Sequence, residues 1–181
     1  SVIYMERGVQ YFPLIKKYLV EEVGFKPDEI GIITSQIKEP SPAKMKDEEK
    51  KEYVKNLFLG KEFNNATMEL ERVSNDKRIK VLIGSATIRE GINLQEYSAT
   101  LYNCFLPWNP TDNQQLSGRI WRQGNLFKNV RIVNPLMVDS IDIFMFQKLE
   151  EKTARINSVW ETDGVTNALK TEEFDPAELK Y

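Results

Sequence analysis

The strongest constraint on the fold is a series of short, nearly continuous apolar runs separated by amphipathic stretches. Strands that are covered by helices on both faces have this composition, whereas strands with one solvent-exposed face alternate apolar and polar residues. Apolar runs that alternate with helical patterns are typical of β-α units. The sequence therefore predicts an α/β fold in which helices flank a parallel sheet. The predicted strands are residues 2–5, 31–34, 80–84, 99–105 and 130–136.

The segments between these strands predict three helices and two irregular regions. Residues 59–78 have weak periodicity and are predicted to be a loop or insertion. Residues 161–181 are acidic, lack apolar periodicity and are predicted to be a loose tail. The helices are predicted to begin at Phe12, at Ser41 with Pro42 as first helical residue, and at Asp139, and to end near Val23, Phe58 and Trp160.

Composition excludes several classes of chemistry. The chain has 181 residues, enough for one domain, and its 41% apolar and 29% charged content fits a soluble globular protein. It has no histidine, which excludes His-based triads and His metal sites, and one cysteine, which excludes an internal disulfide and a multi-cysteine zinc site. We expect no metal site and no membrane partner. The net charge of −2 argues against a strongly basic nucleic-acid coat.

Residues 80–125 hold the candidate functional side chains. The third strand ends at Gly84, and in doubly wound sheets ligands bind at the carboxyl ends of strands. Arg119 and Arg122 are three residues apart, so on a helix they would share one face. With Gln115 nearby they could hold phosphate oxygens. The alternative is that these arginines form ordinary surface ion pairs.

The order of motifs in this stretch resembles the second RecA-like domain of superfamily 2 helicases and translocases, and most of all their Swi/Snf-like branch. GINL, residues 91–94, is similar to motif V, and Trp108-Asn109-Pro110 is similar to the WNP segment of that branch. QLSGRIWRQGN, residues 115–125, resembles the motif VI pattern Q-x-x-x-R-x-x-R-x-G-Q. VIYMERG, residues 2–8, resembles the motif IV strand. The resemblance covers residues 1–160 and implies a RecA-like domain of the P-loop NTPase type, with residues 139–160 as a brace helix.

The resemblance also implies roles for individual residues. In the family, motif VI reaches across a cleft to ATP on the first RecA-like domain, so Arg122 is the candidate arginine finger and Arg119 the second catalytic residue. The implied ATP-cleft residues are Gln115, Gly91 and Glu90. The implied nucleic-acid contacts are Ser85, Thr87, Arg89, Asn93 and Trp108. ATP and Mg²⁺ would be bound mainly by the N-terminal lobe.

Two parts of this stretch depart from the family pattern, and two residues each have two possible roles. Ile88-Arg89-Glu90 stands where the branch has additional glycines, and Asn125 replaces the last glutamine of motif VI. Arg89 could contact the nucleic-acid backbone, or it could pair with Glu90 or another acid. Trp108 could stack on a base, or it could be a packing residue.

The chain contains no G-x-x-x-x-G-K-[ST] loop and no paired acidic segment at the end of a strand. We therefore expect it to be the C-terminal lobe of an ATP-dependent helicase or translocase, with the N-terminal lobe of the same parent chain and double-stranded DNA, rather than RNA, as partners. Enzyme activity would belong to the parent and not to this fragment. The alternative is a degenerate RecA-like interaction module without motor activity. The run IFMFQKLEEK, residues 143–152, resembles helicase modules of phage and mobile-element proteins with methyltransferase domains, which favours a cytoplasmic protein of bacterial or phage origin.

Overall fold

A mostly parallel six-stranded sheet forms the centre of the fold. The computed structural model describes residues 1–89 and 92–161. Its strands within those ranges are β1 (Val2–Tyr4), β2 (Ile30–Ile33), β3 (Lys38–Glu39), β4 (Lys61–Asn64), β5 (Glu69–Arg72), β6 (Val81–Gly84), β7 (Thr100–Asn103) and β8 (Arg131–Val133). Its α-helices are α1 (Phe12–Glu21), α2 (Asp47–Phe58), the single turn α3 (Ala86–Arg89), α4 (Pro110–Gly118) and α5 (Ile141–Glu161).

The strand order is β3-β2-β6-β1-β7-β8. All neighbours in this sheet are parallel except β3, which is antiparallel to β2. The register aligns Ile33, Gly84, Tyr4 and Asn103 in one row across the four central strands. This row ends β2, β6, β1 and β7, so it marks the carboxyl edge of the sheet. The α/β fold class predicted from the apolar runs is confirmed.

Strands β1, β2 and β6 are covered on both faces. Successive side chains of a strand point to opposite faces, so Leu82 of β6 packs with Phe58 of α2 on one face, while Ile83 packs with Phe12 of α1 on the other. Burying a side chain of this size contributes about 1.5–3 kcal/mol. Helices α2, α3 and α4 cover the first face, and α1 covers the second.

Strand β7 is covered on one face only and β8 is largely exposed, which corrects the expectation that all five predicted strands are buried on both faces. Tyr102 of β7 is 39% exposed, because the core contacts of α1 are with β1, β2 and β6. Ile132 of β8 lies on the other face, where it pairs with the buried Leu101, and it is 38% exposed because β8 is the edge strand. An apolar composition in an edge strand therefore does not by itself indicate a second covering layer.

Helix α2 begins five residues later than predicted. Its first residue is Asp47, and Ser41 instead donates its hydroxyl proton to the carbonyl of Lys38 at 2.6 Å. Residues 38–39 pair with β2 as β3, and a turn follows in which Met45 N–H bonds to the carbonyl of Pro42 at 3.2 Å. The backbone N–H of Lys46 is bonded to the Glu49 carboxylate at 3.0 Å, and this contact caps the true start.

Residues 59–78, predicted as a loop or insertion, contain an antiparallel hairpin of β4 and β5. All four residues of β5 are exposed, so the segment has no apolar pattern that could have predicted a strand. Gly60 has φ +70°, and its carbonyl accepts a bond from Val73 N–H at 3.0 Å, which closes the base of the hairpin. Lys61 pairs with Glu96 at 2.7 Å, ahead of β7, so the hairpin lies at the amino-terminal edge of the sheet.

Helix α5 follows the predicted bounds closely but is only partly packed. Leu149 is buried, whereas Ile141 and Ile156 of the predicted apolar stripe are exposed. Apart from Glu161, the end of α5, the predicted tail lies outside the described residues. No helix in the described part of the chain has the length and apolarity needed to cross a bilayer.

Candidate functional site

The candidate site lies at the carboxyl edge of the sheet, where the segments after β1, β6 and β7 meet. Ligands of open α/β sheets bind at this edge. Ser85, Thr87 and Arg89 follow β6, and Trp108 follows β7. Among the described residues, the structure therefore brings side chains of the segment that resembles motif V and of the WNP segment to one edge.

Gly84 is required where β6 turns into α3. A Cβ atom on Gly84 would overlap the side chain of Ile88 and lie 3.1 Å from the carbonyl oxygen of Ile33. Ile88 is fully buried, and its N–H bonds to the carbonyl of Ser85 at 2.8 Å. The chain can thus reverse tightly over the end of β6, with Ser85 buried and Thr87 partly buried.

Arg89 pairs with an acid that is distant in sequence. Its Nη1 atom donates to Glu6 Oε2 at 3.2 Å, and Tyr4 Oη donates to the same oxygen at 3.1 Å. Burial, and then the Glu6 charge, raise the pKa of Tyr4, so its hydroxyl remains a donor at neutral pH. Of the interpretations of Arg89, the structure shows pairing with another acid.

The remaining motif V residues divide into exposed and undescribed ones. Asn93 is exposed, between the buried side chains of Ile92 and Leu94. Glu90 and Gly91, two of the predicted ATP-cleft residues, lie outside the described residues.

The WNP segment forms the start of α4. Asn109 is the N-cap, and its Oδ1 accepts a bond from Thr111 N–H at 3.1 Å. Pro110 occupies the first helical position, where its missing N–H has no cost. Trp108 is 51% exposed, and its carbonyl accepts a bond from Lys152 Nζ of α5 at 3.3 Å. The segment therefore orients α4, and it leaves one part of the indole accessible.

Helix α4 directs Gln115 and Arg119 away from the core. Leu116 and Ile120 are buried and anchor this stretch, while Gln115 is exposed and Arg119 is partly buried. Arg119 Nε donates to the carbonyl of Arg89 at 3.1 Å. Two candidate residues from different motifs are thus in direct contact.

Arg119 and Arg122 do not share a helical face, which corrects the premise of the predicted phosphate clamp. Helix α4 ends at Gly118, Arg119 is its C-cap residue, and Arg122 lies in an irregular segment. Gly124 in that segment has φ +95°, a value that does not continue a helix. Arg122 is exposed, and no hydrogen bond or ion pair joins its guanidinium to residues 1–89 or 92–161. Any shared contact with a phosphate must therefore come from loop geometry.

A cluster of three asparagines around the buried Asn103, which sequence reasoning missed, lies beside this site. Asn103 at the end of β7 donates both amide hydrogens, to Asn113 at 3.0 Å and to Asn134 at 3.1 Å. Its Oδ1 atom has no partner among the described residues. Glu6 was missed as well. Both Glu6 and Asn103 lie at strand ends, so the rule that selected Ser85 could have selected them.

The site presents cationic donors and no metal ligands. Arg119 and Arg122 offer guanidinium groups suited to oxyanions. Among the described residues, no three Asp, Glu, Cys or His side chains come together as a metal site. The arrangement can bind and stabilise phosphate oxygens.

Comparison with known proteins gives concordant results. The family model "Helicase conserved C-terminal domain" matches residues 16–124. YqhH of Bacillus subtilis (strain 168), described as an uncharacterized ATP-dependent helicase, is 31% identical over 127 residues, which are 70% of this chain and 19% of that protein. The chain thus spans about a fifth of the length of this curated relative.

Two solved structures share the fold. The C-terminal part of the Fun30 ATPase domain aligns with a TM-score of 0.54 at 17% identity, over 82% of this chain and 38% of that one. The C-terminal domain of the DEAD-box protein Dbp5 aligns with a TM-score of 0.50 at 17% identity, over 84% of this chain and 69% of that one. At these identities the likeness concerns the fold alone, and it confirms the predicted RecA-like class.

Proposed function

Because the chain belongs to the family of helicase conserved C-terminal domains, we propose that it is the second RecA-like lobe of an ATP-dependent helicase or translocase of the Swi/Snf-like branch. In this role it supplies motifs V and VI to an ATP site that it shares with an N-terminal lobe of the same parent protein. The length of YqhH, of which the chain spans 19%, supports a longer parent. The bacterial origin of YqhH supports a bacterial or phage-encoded cytoplasmic protein.

The observation that carries this proposal is the bond from Arg119 Nε to the carbonyl of Arg89. It joins the segment that resembles motif VI to the segment that resembles motif V, and it orients the Arg119 guanidinium while using one of its three nitrogens in bonds to the described residues. A relay between a nucleic-acid track and an ATP cleft requires such a physical link. Glu6 extends the link to the end of β1 through its ion pair with Arg89.

Arg122 is the proposed arginine finger. An exposed guanidinium on an ordered loop can enter the ATP site of another lobe and stabilise the charge that develops during phosphoryl transfer. Such a residue acts on the transition state more than on bound ATP, because the phosphate-cradling loop belongs to the first lobe. Gln115 and Arg119 are proposed to line the same cleft, together with Glu90 and Gly91. Mg²⁺ would accompany ATP on the first lobe.

DNA is the proposed nucleic-acid partner, in double-stranded form. Exposed Asn93 and the accessible part of Trp108 can contact its backbone, as can the hydroxyl of Thr87. Ser85 is buried and its backbone bonds to Ile33 and Ile88, so we propose that it supports the DNA-binding surface by shaping the turn after β6. Arg89, which is ion-paired with Glu6, is proposed to contribute positive charge next to a DNA phosphate.

The decisive experiment replaces Arg122 in the full-length protein and measures steady-state ATP hydrolysis with saturating DNA. Arg122→Ala should lower kcat by at least ~10²-fold and change the KM for ATP much less. Arg122→Lys should recover little activity, since an ammonium lacks the planar donor fork.

The matched control is Lys128→Ala, which removes an exposed cation six residues further along the same segment. Its kcat should stay within about twofold of the unmodified protein, as for most exposed substitutions. An Arg122→Ala protein with unchanged kcat would exclude Arg122 as the finger. A full-length protein without any ATPase activity would favour the interaction-module alternative instead.

A further inference from the structure

Asn125 uses its whole amide group to fix the segment that carries Arg122. Its Nδ2 atom donates to the carbonyl oxygens of Ser98 at 2.9 Å and Ile120 at 3.0 Å. Its Oδ1 atom accepts a bond from Phe127 N–H at 2.8 Å. Both amide hydrogens and the amide oxygen are therefore occupied by backbone groups from three separate positions.

These bonds close a short loop over residues 120–125 and attach it to the core. The bond to Ile120 joins the two ends of the loop, and Ile120 itself is fully buried. The bond to Ser98 fixes the loop to the residue that precedes the β7 segment. Ser98 is also buried, and its hydroxyl donates to the carbonyl of Leu94 at 2.6 Å. The anchor is thus an ordered backbone that leads directly from the GINL segment.

The part of the loop that Asn125 encloses projects into solvent. Trp121 is 75% exposed, and Arg122 is exposed beside it. The Trp121 N–H still bonds to Ser117 at 2.8 Å, while the Asn125 N–H bonds to the Arg122 carbonyl at 3.3 Å. The position of the Arg122 backbone therefore depends on the closure that the Asn125 side chain provides.

We propose that Asn125 is a positioning residue for catalysis: its amide holds the 120–125 loop in the shape that presents Arg122 to ATP bound by the other lobe. This inference rests on the proposed function, because it assumes that Arg122 acts on ATP. It assigns a role to the position at which the chain departs from the glutamine of motif VI. A guanidinium displaced by about 1 Å from its productive position can cost up to ~10²-fold in rate.

Asn125→Asp in the full-length protein is the sharpest test. Aspartate has the same shape and keeps the acceptor for Phe127 N–H, but at pH 8 it replaces both donations by repulsion between a carboxylate and two carbonyl oxygens. We expect kcat for ATP hydrolysis to fall by ~10-fold or more, with the KM for ATP within about threefold. Hydrogen exchange of the 121–124 amides, followed by mass spectrometry, should become faster.

Two control variants separate positioning from a general loss of stability. Asn129→Asp makes the same chemical change at an exposed side chain four residues away, and it should leave kcat and loop exchange unchanged. Ile79→Val lowers stability from a buried site that precedes β6, at the opposite edge of the sheet. It should lower the unfolding temperature without the kcat loss seen for Asn125→Asp.

The double variant Arg122→Ala/Asn125→Asp decides whether Asn125 acts through Arg122. If it does, the double variant should have the kcat of Arg122→Ala alone, because no guanidinium remains to be positioned. The inference would be overturned if the two single-variant losses in kcat multiplied in the double variant, or if Asn125→Asp had a normal kcat. A normal kcat for Arg122→Ala alone would exclude Arg122 as the finger, and with it this inference, even if loop exchange had changed; a full-length protein without ATPase activity would overturn the proposed function itself.

Discussion

Arg119 and Arg122 are three residues apart, yet they have different physical environments. Arg119 is partly buried and bonds to the Arg89 carbonyl, whereas Arg122 is exposed. Removing Arg119 leaves a carbonyl without its donor, and removing Arg122 leaves an open surface. Alanine substitutions of the two residues should therefore have different effects on the free energy of unfolding, even though both residues are proposed to face ATP.

We predict that Arg119→Ala lowers the free energy of unfolding of the 181-residue chain by about 0.5–1.5 kcal/mol, the usual net value of one hydrogen bond. Arg122→Ala should change it by less than ~0.5 kcal/mol. Urea denaturation followed by circular dichroism measures both. A loss of several kcal/mol for Arg122→Ala would show that Arg122 is a structural residue, and the finger would have to be reassigned.

At the scale of single residues, the sequence identifies residue types but not their contacts. The resemblance to motif VI selected Arg119 and Arg122, because the spacing of two arginines can be read directly from the sequence. The pairing of Arg89 with Glu6 joins residues 83 positions apart, and no local pattern encodes that distance. The three bonds of Asn125 escaped prediction for the same reason, since two of their partners are backbone carbonyls.

Between elements, the junction of β2 and β6 is held by an ion pair at their amino ends. Glu29 Oε1 accepts a bond from Lys80 Nζ at 2.6 Å, and Glu29 Oε2 accepts one from Lys26 N–H at 3.1 Å. The bond from Lys80, followed by the bond from Lys26, lowers the pKa of Glu29 below its ordinary value of 4.5. Because the folded state favours the carboxylate, this contribution to stability is present above pH 4.5 and is lost as the pH falls through the lowered pKa.

We predict that Glu29→Gln lowers the urea midpoint at pH 7 and that its difference from the unmodified chain shrinks as the pH is lowered from 5 to 3. Glutamine retains the shape but has no charge to lose. Asp28→Asn is the control, because Asp28 is the exposed neighbour, and it should show no such convergence. A difference that stays constant with pH would contradict the proposed linkage.

For whole elements, apolar runs predicted the strand positions well and helix starts less well. The predicted strand at 80–84 was found as β6, since its residues are buried on both faces. The predicted start of α2 was wrong because Ser41 and Pro42 resemble a helix start, while the structure has β3 and then a turn in that segment. The β4–β5 hairpin was missed because its stability comes from backbone pairing and not from an apolar face.

As a whole molecule, the chain presents one side of a proposed two-sided ATP site. Its sequence has no phosphate-cradling loop, and its net charge is −2. Guanidinium groups on one lobe can stabilise the charge on the transferred phosphoryl group only when the other lobe holds the nucleotide. The fold itself has a closed core on both faces of its central strands, so it should form without the other lobe.

We therefore predict that the isolated 181-residue chain folds but hydrolyses no ATP above a buffer blank, as measured by phosphate release. Its affinity for duplex DNA should be weak, with a Kd of ~10⁻⁴ M or higher at physiological salt, and it should weaken further as salt is added. Measurable turnover would contradict the shared site. Submicromolar, salt-insensitive binding of one sequence would indicate a specific DNA reader.

The closed base of the β4–β5 hairpin has a practical consequence for observing this protein at work. Gly60 and Val73 are joined by a backbone bond, so the exposed tip between β4 and β5 can be exchanged while Lys61 keeps its ion pair with Glu96. The hairpin also lies at the sheet edge opposite Gly84, away from the side chains proposed to meet ATP and DNA. A fluorophore or surface tether attached at its exposed tip, near Met68, would report on motion of the proposed translocase without contacting those side chains.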